Sequence, residues 1–317
     1  MKIERIEALS LTKKEAIGCA LRAAREQAGR EALRARVLGG GSFGTAVELT
    51  LEDGGAMVVK LLRAEGMMRK EVHDLQLLRA HCPVRMPRVL FARDRGGDIP
   101  VDCYGMERIA GKNALFSLRL LAESEAKRRS FAEEVTAALH AVHACTGEAF
   151  GDTMHPDCGS WLQYYRPFAE AVWEQAEAMH AAGSLPDKVI AAMRAAWTRF
   201  DDIFCEEVTQ ACLIHGDLNI GNIMVGKGGR IEGFIDPLNS LYADREYDLF
   251  QFDNLTGKRF YLRETYLKNY GGSERVLVKL AFYGLWNEVF CYIRSGMLVG
   301  LIMRPLVKNM HRRLAEL

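Results

Sequence analysis

The sequence predicts an α+β protein of two lobes, with a small antiparallel β-sheet lobe at residues 1–107 and a larger, mostly helical lobe at residues 108–317. Three observations support this prediction. Strand-like segments joined by glycine-containing turns fill the first lobe, and apolar residues at helical spacing dominate after residue 107. In addition, two short apolar segments at residues 223–235 flank a glycine-rich turn, which indicates an antiparallel hairpin in the second lobe.

Composition and charge limit the functional classes. Of the 317 residues, 49% are hydrophobic and 26% are charged, which is ordinary for a globular protein of one large or two linked domains. The net charge of +1 gives no support for binding to nucleic acid or to a membrane surface. We expect neither a transmembrane helix nor a signal peptide, because no sufficiently long apolar run is visible.

The eight cysteines are scattered and include no CxxC pair, so a zinc site is not expected. Most have apolar neighbours, which is typical of small core residues in a reducing compartment. The sequence therefore predicts a cytoplasmic protein.

The first lobe is predicted to begin with a helix at residues 11–35. Thr12 can cap this helix, Glu15 lies three residues later, and apolar residues recur at helical spacing. Packing on the sheet that follows is the expected role of this helix.

A glycine-rich segment at residues 37–49 contains G-x-G-x-x-G between two strand-like stretches. Its candidate phosphate-binding residues are Gly39, Gly41, Ser42 and Gly44. Glycines let backbone amides approach phosphate oxygens closely, although the motif taken alone favours a flexible hairpin turn. A strand rather than a helix follows the last glycine, which argues against a dinucleotide-binding turn.

Two charged residues in apolar surroundings form a predicted pair. Lys60 lies inside a strand at residues 56–62, and Glu71 shares the apolar face of a helix at residues 68–80. A buried carboxylate needs a partner, and Lys60 is the expected one for Glu71. The alternative, a solvent-facing Lys60, is weakened by the apolar neighbours on both sides.

The remaining elements are predicted more coarsely. Strands are expected at 88–92 and 101–107, and helices at 125–145, 160–181, 186–209 and 258–317, with a break at Gly271-Gly272. His140 and His143 have metal-compatible spacing but no third ligand, so structural or surface roles are favoured. The core or a substrate pocket is expected to contain Trp161, Tyr164, Tyr165 and Trp173, and candidates for a pocket wall, with a core or surface position equally open, are Trp286, Glu288, Tyr292 and Arg294.

A polar loop between two apolar strands, at residues 213–225, provides the candidate catalytic residues. It holds Asp217 and, five positions later, Asn222. An Asp can accept the proton of an attacking hydroxyl, and an Asn carbonyl can bind magnesium, as a phosphoryl-transfer site requires. The hairpin then brings Asp236 beside Asn222 and completes a set of hard oxygen ligands for Mg²⁺. A lone Asp in such a loop is usually a turn residue, but the agreement of both segments makes that interpretation unfavourable.

These residues resemble the aminoglycoside phosphotransferase and choline kinase group of protein-kinase-like small-molecule kinases. The resemblance rests on His215-Gly216-Asp217, on Asn222 and on the run Ile235-Asp236-Pro237. It implies a bilobal protein-kinase-like fold, with ATP and Mg²⁺ as cofactors. By this resemblance Asp217 is the catalytic base, and Asn222 and Asp236 are the magnesium ligands. His215 would shape the loop, and Asp248 would support it from below.

The resemblance also assigns the nucleotide contacts. The Lys60–Glu71 pair would orient the lysine toward the nucleotide phosphates. Residues 106–111 resemble the hinge whose backbone contacts adenine, which makes Glu107 and Ile109 candidate contacts.

The favoured function is ATP-dependent transfer of the γ-phosphate to a hydroxyl of a small-molecule acceptor. Phe150-Gly151, the aromatic pair Trp161 and Tyr165, and residues 245–249 are similar to fructosamine kinases, which favours an amino sugar or ketosamine. Asn219-Ile220 departs from that subgroup, so an aminoglycoside or another hydroxylated metabolite stays open.

Two other classes are less favoured. A non-catalytic nucleotide-binding module would not need the full set of catalytic groups found in this sequence. A protein kinase would need a longer activation segment ending in Ala-Pro-Glu, and residues 237–247 contain neither.

Overall fold

The computed structural model describes residues 3–5, 11–40 and 43–317, so Gly41 and Ser42 lie outside the described residues. The first part of the chain forms a five-stranded antiparallel sheet in the order β1-β2-β3-β5-β4. Its elements are α1 (Lys13–Ala28), β1 (Ala32–Gly40), β2 (Gly44–Leu51), β3 (Ala56–Leu62), α2 (Met67–His81), β4 (Val89–Arg93) and β5 (Cys103–Glu107). We call this part the sheet lobe.

Helix α1 begins at the predicted capping box and ends earlier than predicted. The Thr12 backbone N–H donates to the Glu15 carboxylate at 2.7 Å, and Gly29 ends the helix with a left-handed φ of 59°. The prediction of a helix to residue 35 is wrong, because Ala32–Gly40 pairs with β2 instead. The ladder to a neighbouring strand outweighs the helix propensity of the alanine and arginine residues in this stretch.

The rest of the chain forms the helical lobe. Its helices are α3 (Leu118–Ala122), α4 (Glu125–His143), α5 (Trp161–Ala181), α6 (Asp187–Trp197), α7 (Phe200–Ile203), α8 (Leu262–Tyr270), α9 (Val276–Ser295) and α10 (Gly300–Ala315). Its strands are β6 (Lys112–Asn113), β7 (Thr146–Gly147), β8 (Phe150–Asp152), β9 (His155–Cys158), β10 (Ala211–Leu213), β11 (Ile223–Val225), β12 (Ile231–Phe234) and β13 (Leu241–Ala243). These strands form two small sheets, in the orders β7-β10-β13-β8-β9 and β12-β11-β6.

The predicted hairpin is confirmed. Strands β11 and β12 pair antiparallel, with Ile223 opposite Phe234. The Ile235 backbone N–H donates to the Asn222 backbone carbonyl at 2.9 Å, so the residues that follow β12 lie beside the end of the polar loop.

Two helical predictions are refined by the structure, and a 3-10 helix is added. The helix predicted at residues 186–209 is interrupted after Trp197 and ends at Ile203, giving α6 and α7. Residues Arg245–Asp253 form a 3-10 helix capped by Asp244, and further 3-10 turns lie at Ala114–Phe116, Ile220–Asn222 and Gly257–Phe260. The C-terminal stretch breaks after Tyr270, as expected, and again at Gly296, where φ is 72°.

Helix α9 forms the centre of the helical lobe. Its Phe282 and Trp286 rings stack at 3.7 Å, and both are fully buried. This helix is also long and apolar enough to cross a membrane, contrary to the sequence expectation, but 67% of its apolar window is buried inside the protein. Such burial is typical of a core helix in a folded domain.

Candidate active site

The polar loop is held in place by one buried carboxylate. Asp248 accepts hydrogen bonds from the backbone N–H groups of His215 and Gly216, both at 2.7 Å. Gly216 has a φ of 81°, and a Cβ at this position would overlap the Leu238 carbonyl oxygen. The loop therefore needs a glycine before Asp217, and the predicted supporting role of Asp248 is visible as two direct hydrogen bonds.

Asp248 is itself fixed by α4 and α8. His143 Nε2 lies 3.1 Å from the Asp248 carboxylate, and His143 Nδ1 lies 2.6 Å from the Tyr266 hydroxyl. All three side chains are buried. His143 is thus part of the loop support, whereas His140 stacks on Tyr270 with ring centroids 3.9 Å apart.

Asp217 is oriented by two asparagines. The Asn219 side-chain amide donates to Asp217 Oδ1 at 2.9 Å, and that of Asn222 donates to Oδ2 at 3.0 Å. Burial, reinforced by the charge of Asp236, raises the pKa of Asp217 to about 7, and the two amide hydrogen bonds only partly oppose this rise. The carboxylate therefore has a much higher affinity for a proton than an ordinary Asp, which suits a group that accepts one from a hydroxyl.

His215 has the properties of a loop-shaping residue. It is buried, and burial lowers its pKa to about 4, so the imidazole is neutral near pH 7. Its Nδ1 accepts the Asp217 backbone N–H at 3.4 Å, and its ring meets Phe234 edge-on at 6.4 Å.

Lys60, Glu71 and Asp236 form a chain of charges between the two lobes. Lys60 Nζ lies 2.8 Å from Glu71 Oε2 and 2.6 Å from Asp236 Oδ1. The ion pair between Lys60 and Glu71 is the one that the sequence predicted. The Tyr104 hydroxyl donates to Glu71 Oε2 at 3.0 Å, which was not predicted.

Burial and neighbouring charges together determine the pKa values of Lys60 and Glu71. Burial alone would lower the pKa of Lys60, but Tyr104, Asp236 and Glu71 outweigh it and hold that pKa well above its ordinary value. Burial raises the pKa of Glu71, and the Lys60 charge only partly opposes this. Lys60 is therefore a fixed cation at the end of the polar loop.

The oxygen donors around this loop fit magnesium. The Asn222 amide nitrogen is occupied by Asp217, which leaves Asn222 Oδ1 without a donor among the described residues. Asp236 is half exposed and uses Oδ1 for Lys60, which leaves Oδ2. Within the described ranges, no three His, Cys, Asp or Glu side chains cluster as a metal cage. A pair of hard oxygen ligands nevertheless suits Mg²⁺, which usually keeps several waters or phosphate oxygens.

The remaining predicted nucleotide contacts lie in the sheet lobe and the link that follows it. Gly39 and Gly44 flank the tip of the β1–β2 hairpin, and a Cβ at Gly44 would come within 2.8 Å of the Leu61 carbonyl oxygen. Glu107 ends β5 and pairs with Arg88 at 3.0 Å. Ile109 is buried against the β11–β12 hairpin near Gly233.

A cavity of about 440 Å³ lies beside the polar loop. Aromatic residues of α5 form one wall, at the helical spacing that the sequence shows, and residues of α9 form another. The lining residues are Ile3, Glu4, Lys70, Asp152, Trp161, Tyr164, Tyr165, Phe168, Asn239, Leu241, Tyr247, Asn287, Phe290 and Arg294. Asn239 of this lining lies against the loop, because a Cβ on Gly216 would come within 2.8 Å of the Asn239 carbonyl oxygen.

The structure shows which of the predicted pocket residues line the cavity and which belong to the core. Trp161, Tyr164, Tyr165 and Arg294 line the cavity, whereas Trp286 is a core residue whose indole N–H donates to the Ala169 carbonyl at 2.9 Å. No local pattern in the sequence indicates Glu4, because tertiary folding alone brings the segment Ile3–Arg5 to the helical lobe. There, Gln175 of α5 donates to the Ile3 carbonyl at 3.1 Å.

Comparison with known proteins identifies the family. Residues 34–279 match the model of the phosphotransferase enzyme family. The chain belongs to the phosphotransferase enzyme family. The predicted activity class, a small-molecule kinase, is thereby confirmed at the level of the family. No curated protein gives a match to this sequence.

This phosphotransferase has the same fold as several solved structures of other proteins. A candidate fructosamine-3-kinase from Thermobifida fusca YX-ER1 has a TM-score of 0.66 at 19% identity, over 94% of this chain and 98% of that one. A candidate fructosamine-3-kinase from Haemophilus somnus 129PT has a TM-score of 0.67 at 17% identity, over 93% and 96%. A thermostable mutant of aminoglycoside phosphotransferase APH(4)-Ia, in ternary complex with AMP-PNP and hygromycin B, has a TM-score of 0.64 at 15% identity, over 93% and 97%. The predicted α+β bilobal fold is confirmed.

Proposed function

We propose that this phosphotransferase transfers the γ-phosphate of ATP to a hydroxyl of an amino sugar or ketosamine. The observation that carries the proposal is that the candidate base, the candidate metal ligands and the lysine lie together at one loop. Asp217, the candidate proton acceptor, accepts a hydrogen bond from the Asn222 side-chain amide. Asp236 forms an ion pair with Lys60, which is also paired with Glu71. A proton acceptor, oxygen ligands for a cation and a fixed lysine charge are the groups that phosphoryl transfer needs.

Each of these residues has a distinct proposed role. Asp217 orients the acceptor hydroxyl and takes its proton, and the amides of Asn219 and Asn222 hold its two oxygens in position. Asn222 and Asp236 would hold Mg²⁺, which supplies neutralisation of charge on the β- and γ-phosphates.

The sheet lobe is proposed to hold the nucleotide. Lys60, fixed by Glu71, attracts the phosphates, and the backbone of the β1–β2 hairpin approaches them closely. The residues proposed for this hairpin contact are Gly39, Gly41, Ser42 and Gly44. Glu107 and Ile109 are proposed to present backbone groups to adenine. This division makes residues 1–107 the nucleotide lobe and residues 108–317 the acceptor lobe.

The cavity beside the loop supports a sugar-like acceptor. Its aromatic walls offer flat apolar surfaces, and its polar side chains can bind hydroxyl and amino groups. Two of the similar structures are candidate fructosamine-3-kinases, and another contains the aminoglycoside hygromycin B. The eight cysteines are all free thiols, which agrees with the proposed cytoplasmic location.

An acceptor panel tests the proposal. Purified protein with ATP and Mg²⁺ is first assayed for slow ATP hydrolysis, and then with ketosamines, amino sugars and aminoglycosides. We expect a ketosamine or amino sugar to increase ADP release and to appear as a phosphate ester. Asp217→Asn should lose this acceptor-dependent rate. Phosphorylation of aminoglycosides alone, or of none of these acceptors, would contradict the proposed substrate.

A further inference from the structure

One cation on the cavity wall makes no ion pair within the described part of the protein. Arg294 lies on the face of α9 that also presents Asn287 and Phe290 to the cavity. Its guanidinium carbon lies 5.8 Å from the Phe290 ring centroid and 5.9 Å from that of Phe43. Within residues 3–5, 11–40 and 43–317, no carboxylate oxygen comes within 4.0 Å of this guanidinium.

The environment of Arg294 is unfavourable for an unpaired cation. Its Nε is buried and has no hydrogen-bond partner among the described residues. Burial lowers the pKa of Arg294, and the charge of Glu4 opposes this only in part. A partly buried guanidinium whose Nε has no hydrogen-bond partner is destabilising, and a ligand that supplies a negative charge would satisfy it.

The other charged groups of the cavity are balanced. Lys70 is occupied by Asp74 at 2.6 Å and lies 3.6 Å from Asp152. The charged lining residues are thus two acids, Glu4 and Asp152, and two bases, Lys70 and Arg294. A cavity without an excess of acid does not match a polycation such as an aminoglycoside, but it matches a ligand that has both charges.

We propose that Arg294 binds a carboxylate of the acceptor, so that the acceptor is a zwitterion with a hydroxyl, an amine and a carboxylate. A guanidinium binds a carboxylate through two parallel N–H donors, which would satisfy the buried Nε. The aromatic walls would hold the sugar, and Asp152 would face the amine. This inference rests on the proposed function, since it places the acceptor in the cavity beside Asp217.

Nucleotide phosphates are the other source of an anion for Arg294. Phe43 belongs to the β1–β2 hairpin, so the guanidinium also faces the element proposed to hold ATP. The test must therefore measure acceptor binding in the absence of nucleotide, and ATP binding in a separate titration.

Two pairs of ligands isolate the carboxylate. Fructosylglycine is compared with fructosylglycinamide, and muramic acid with glucosamine, by calorimetric titration of the nucleotide-free protein. Each ligand is titrated into the wild type, Arg294→Met and the control Arg304→Met, which removes an exposed arginine outside the cavity. We expect the carboxylate member of a pair to bind the wild type about ten- to hundredfold more tightly, and Arg294→Met alone to lose this preference.

Each other outcome has a definite meaning. Equal binding within both pairs, a preference that survives in Arg294→Met, or no binding of any ligand overturns the anion subsite. A weaker ATP titration in Arg294→Met, with the carboxylate preference retained, assigns the guanidinium to nucleotide phosphates and also overturns it. Phosphorylation is measured separately. If both fructosyl ligands are phosphorylated but bind with equal affinity, the proposed function stands and the anion subsite is wrong. If only the amino sugar pair shows the carboxylate preference, the anion subsite stands and a ketosamine is not the acceptor.

Discussion

At the scale of single residues, Lys60 determines how the sheet lobe meets the polar loop. It is buried between the carboxylates of Glu71 and Asp236, and its pKa is held well above the ordinary value. A lysine in this position stays charged at every physiological pH. It can therefore act on nucleotide phosphates as a permanent cation.

Removal of Lys60 should weaken the use of ATP. Lys60→Ala is expected to raise KM for ATP by about ten- to hundredfold, because a charge-assisted contact to phosphate is lost. Glu71→Ala should act in the same direction but less severely, since Lys60 keeps Asp236. Steady-state kinetics at varied ATP concentrations measure both effects, with Lys227→Ala on an exposed turn as the control. Wild-type ATP kinetics in both variants would contradict the proposed nucleotide lobe.

The Lys60–Glu71 pair could be predicted from sequence, while two of its neighbours could not. Each member of the pair lies in an apolar element, and a buried charge requires an opposite one. Tyr104 and His143 gave no such signal, because each is compatible with an ordinary core position. Their roles depend on partners that only the tertiary fold brings near, namely Glu71 for Tyr104 and Asp248 for His143.

At the scale of elements, helix α2 is attached to the helical lobe by the residue before Glu71. Lys70 Nζ donates to Asp74 at 2.6 Å, to Thr153 at 2.9 Å and to the Ser240 carbonyl at 2.7 Å. Thr153 and Ser240 belong to the helical lobe, so one ammonium group links the two lobes. This link keeps α2 in the position that lets Glu71 reach Lys60.

Loss of this link should reduce both stability and ATP use. Lys70→Met is expected to lower the free energy of unfolding by about 1–3 kcal/mol, because the buried Asp74 loses its cation. KM for ATP should rise as α2 loses its anchor. Urea unfolding and ATP kinetics are compared with Arg69→Met, a neighbouring exposed arginine. If Lys70→Met is no more damaging than this control, the link between the lobes has no energetic role.

The polar loop depends in the same way on Asp248. Asp248→Ala leaves the backbone N–H groups of His215 and Gly216 buried without an acceptor, and we expect a loss of about 3 kcal/mol or more in unfolding free energy. Asp201→Ala, which removes an exposed carboxylate, is the control. Urea unfolding decides the matter, and equal stability of the two variants would show that the loop does not need its buried support.

Element boundaries were predictable where local signals dominate. Thr12 and Glu15 placed the start of α1, and the glycine turn placed the β11–β12 hairpin. The end of α1 was wrong because Ala32–Gly40 has helix-compatible residues, yet its ladder to β2 determines its structure. Pairing with a distant segment is a tertiary effect, and it has no local pattern in the sequence.

At the scale of the whole molecule, the two lobes meet at the groups that phosphoryl transfer requires. Lys60 comes from the sheet lobe, whereas Asp217 and Asp236 come from the helical lobe. The cavity lies on the helical side and includes Lys70 from the sheet lobe and Glu4 from the N-terminal segment. The central proposal is that Asp217 acts as the base and that Asp236 is a magnesium ligand.

One comparison tests this claim most directly, namely calorimetric titration of ATP with and without Mg²⁺, together with single-turnover rates, for Asp217→Asn and Asp236→Asn. Asp217→Asn should keep magnesium-dependent ATP binding and lose about two to four orders of magnitude in the transfer rate, as expected for a general base. Asp236→Asn should lose the magnesium dependence of binding as well as the rate. Loss of magnesium-dependent binding in Asp217→Asn with retention in Asp236→Asn would reverse the two roles, and undiminished transfer in both variants would contradict the site itself.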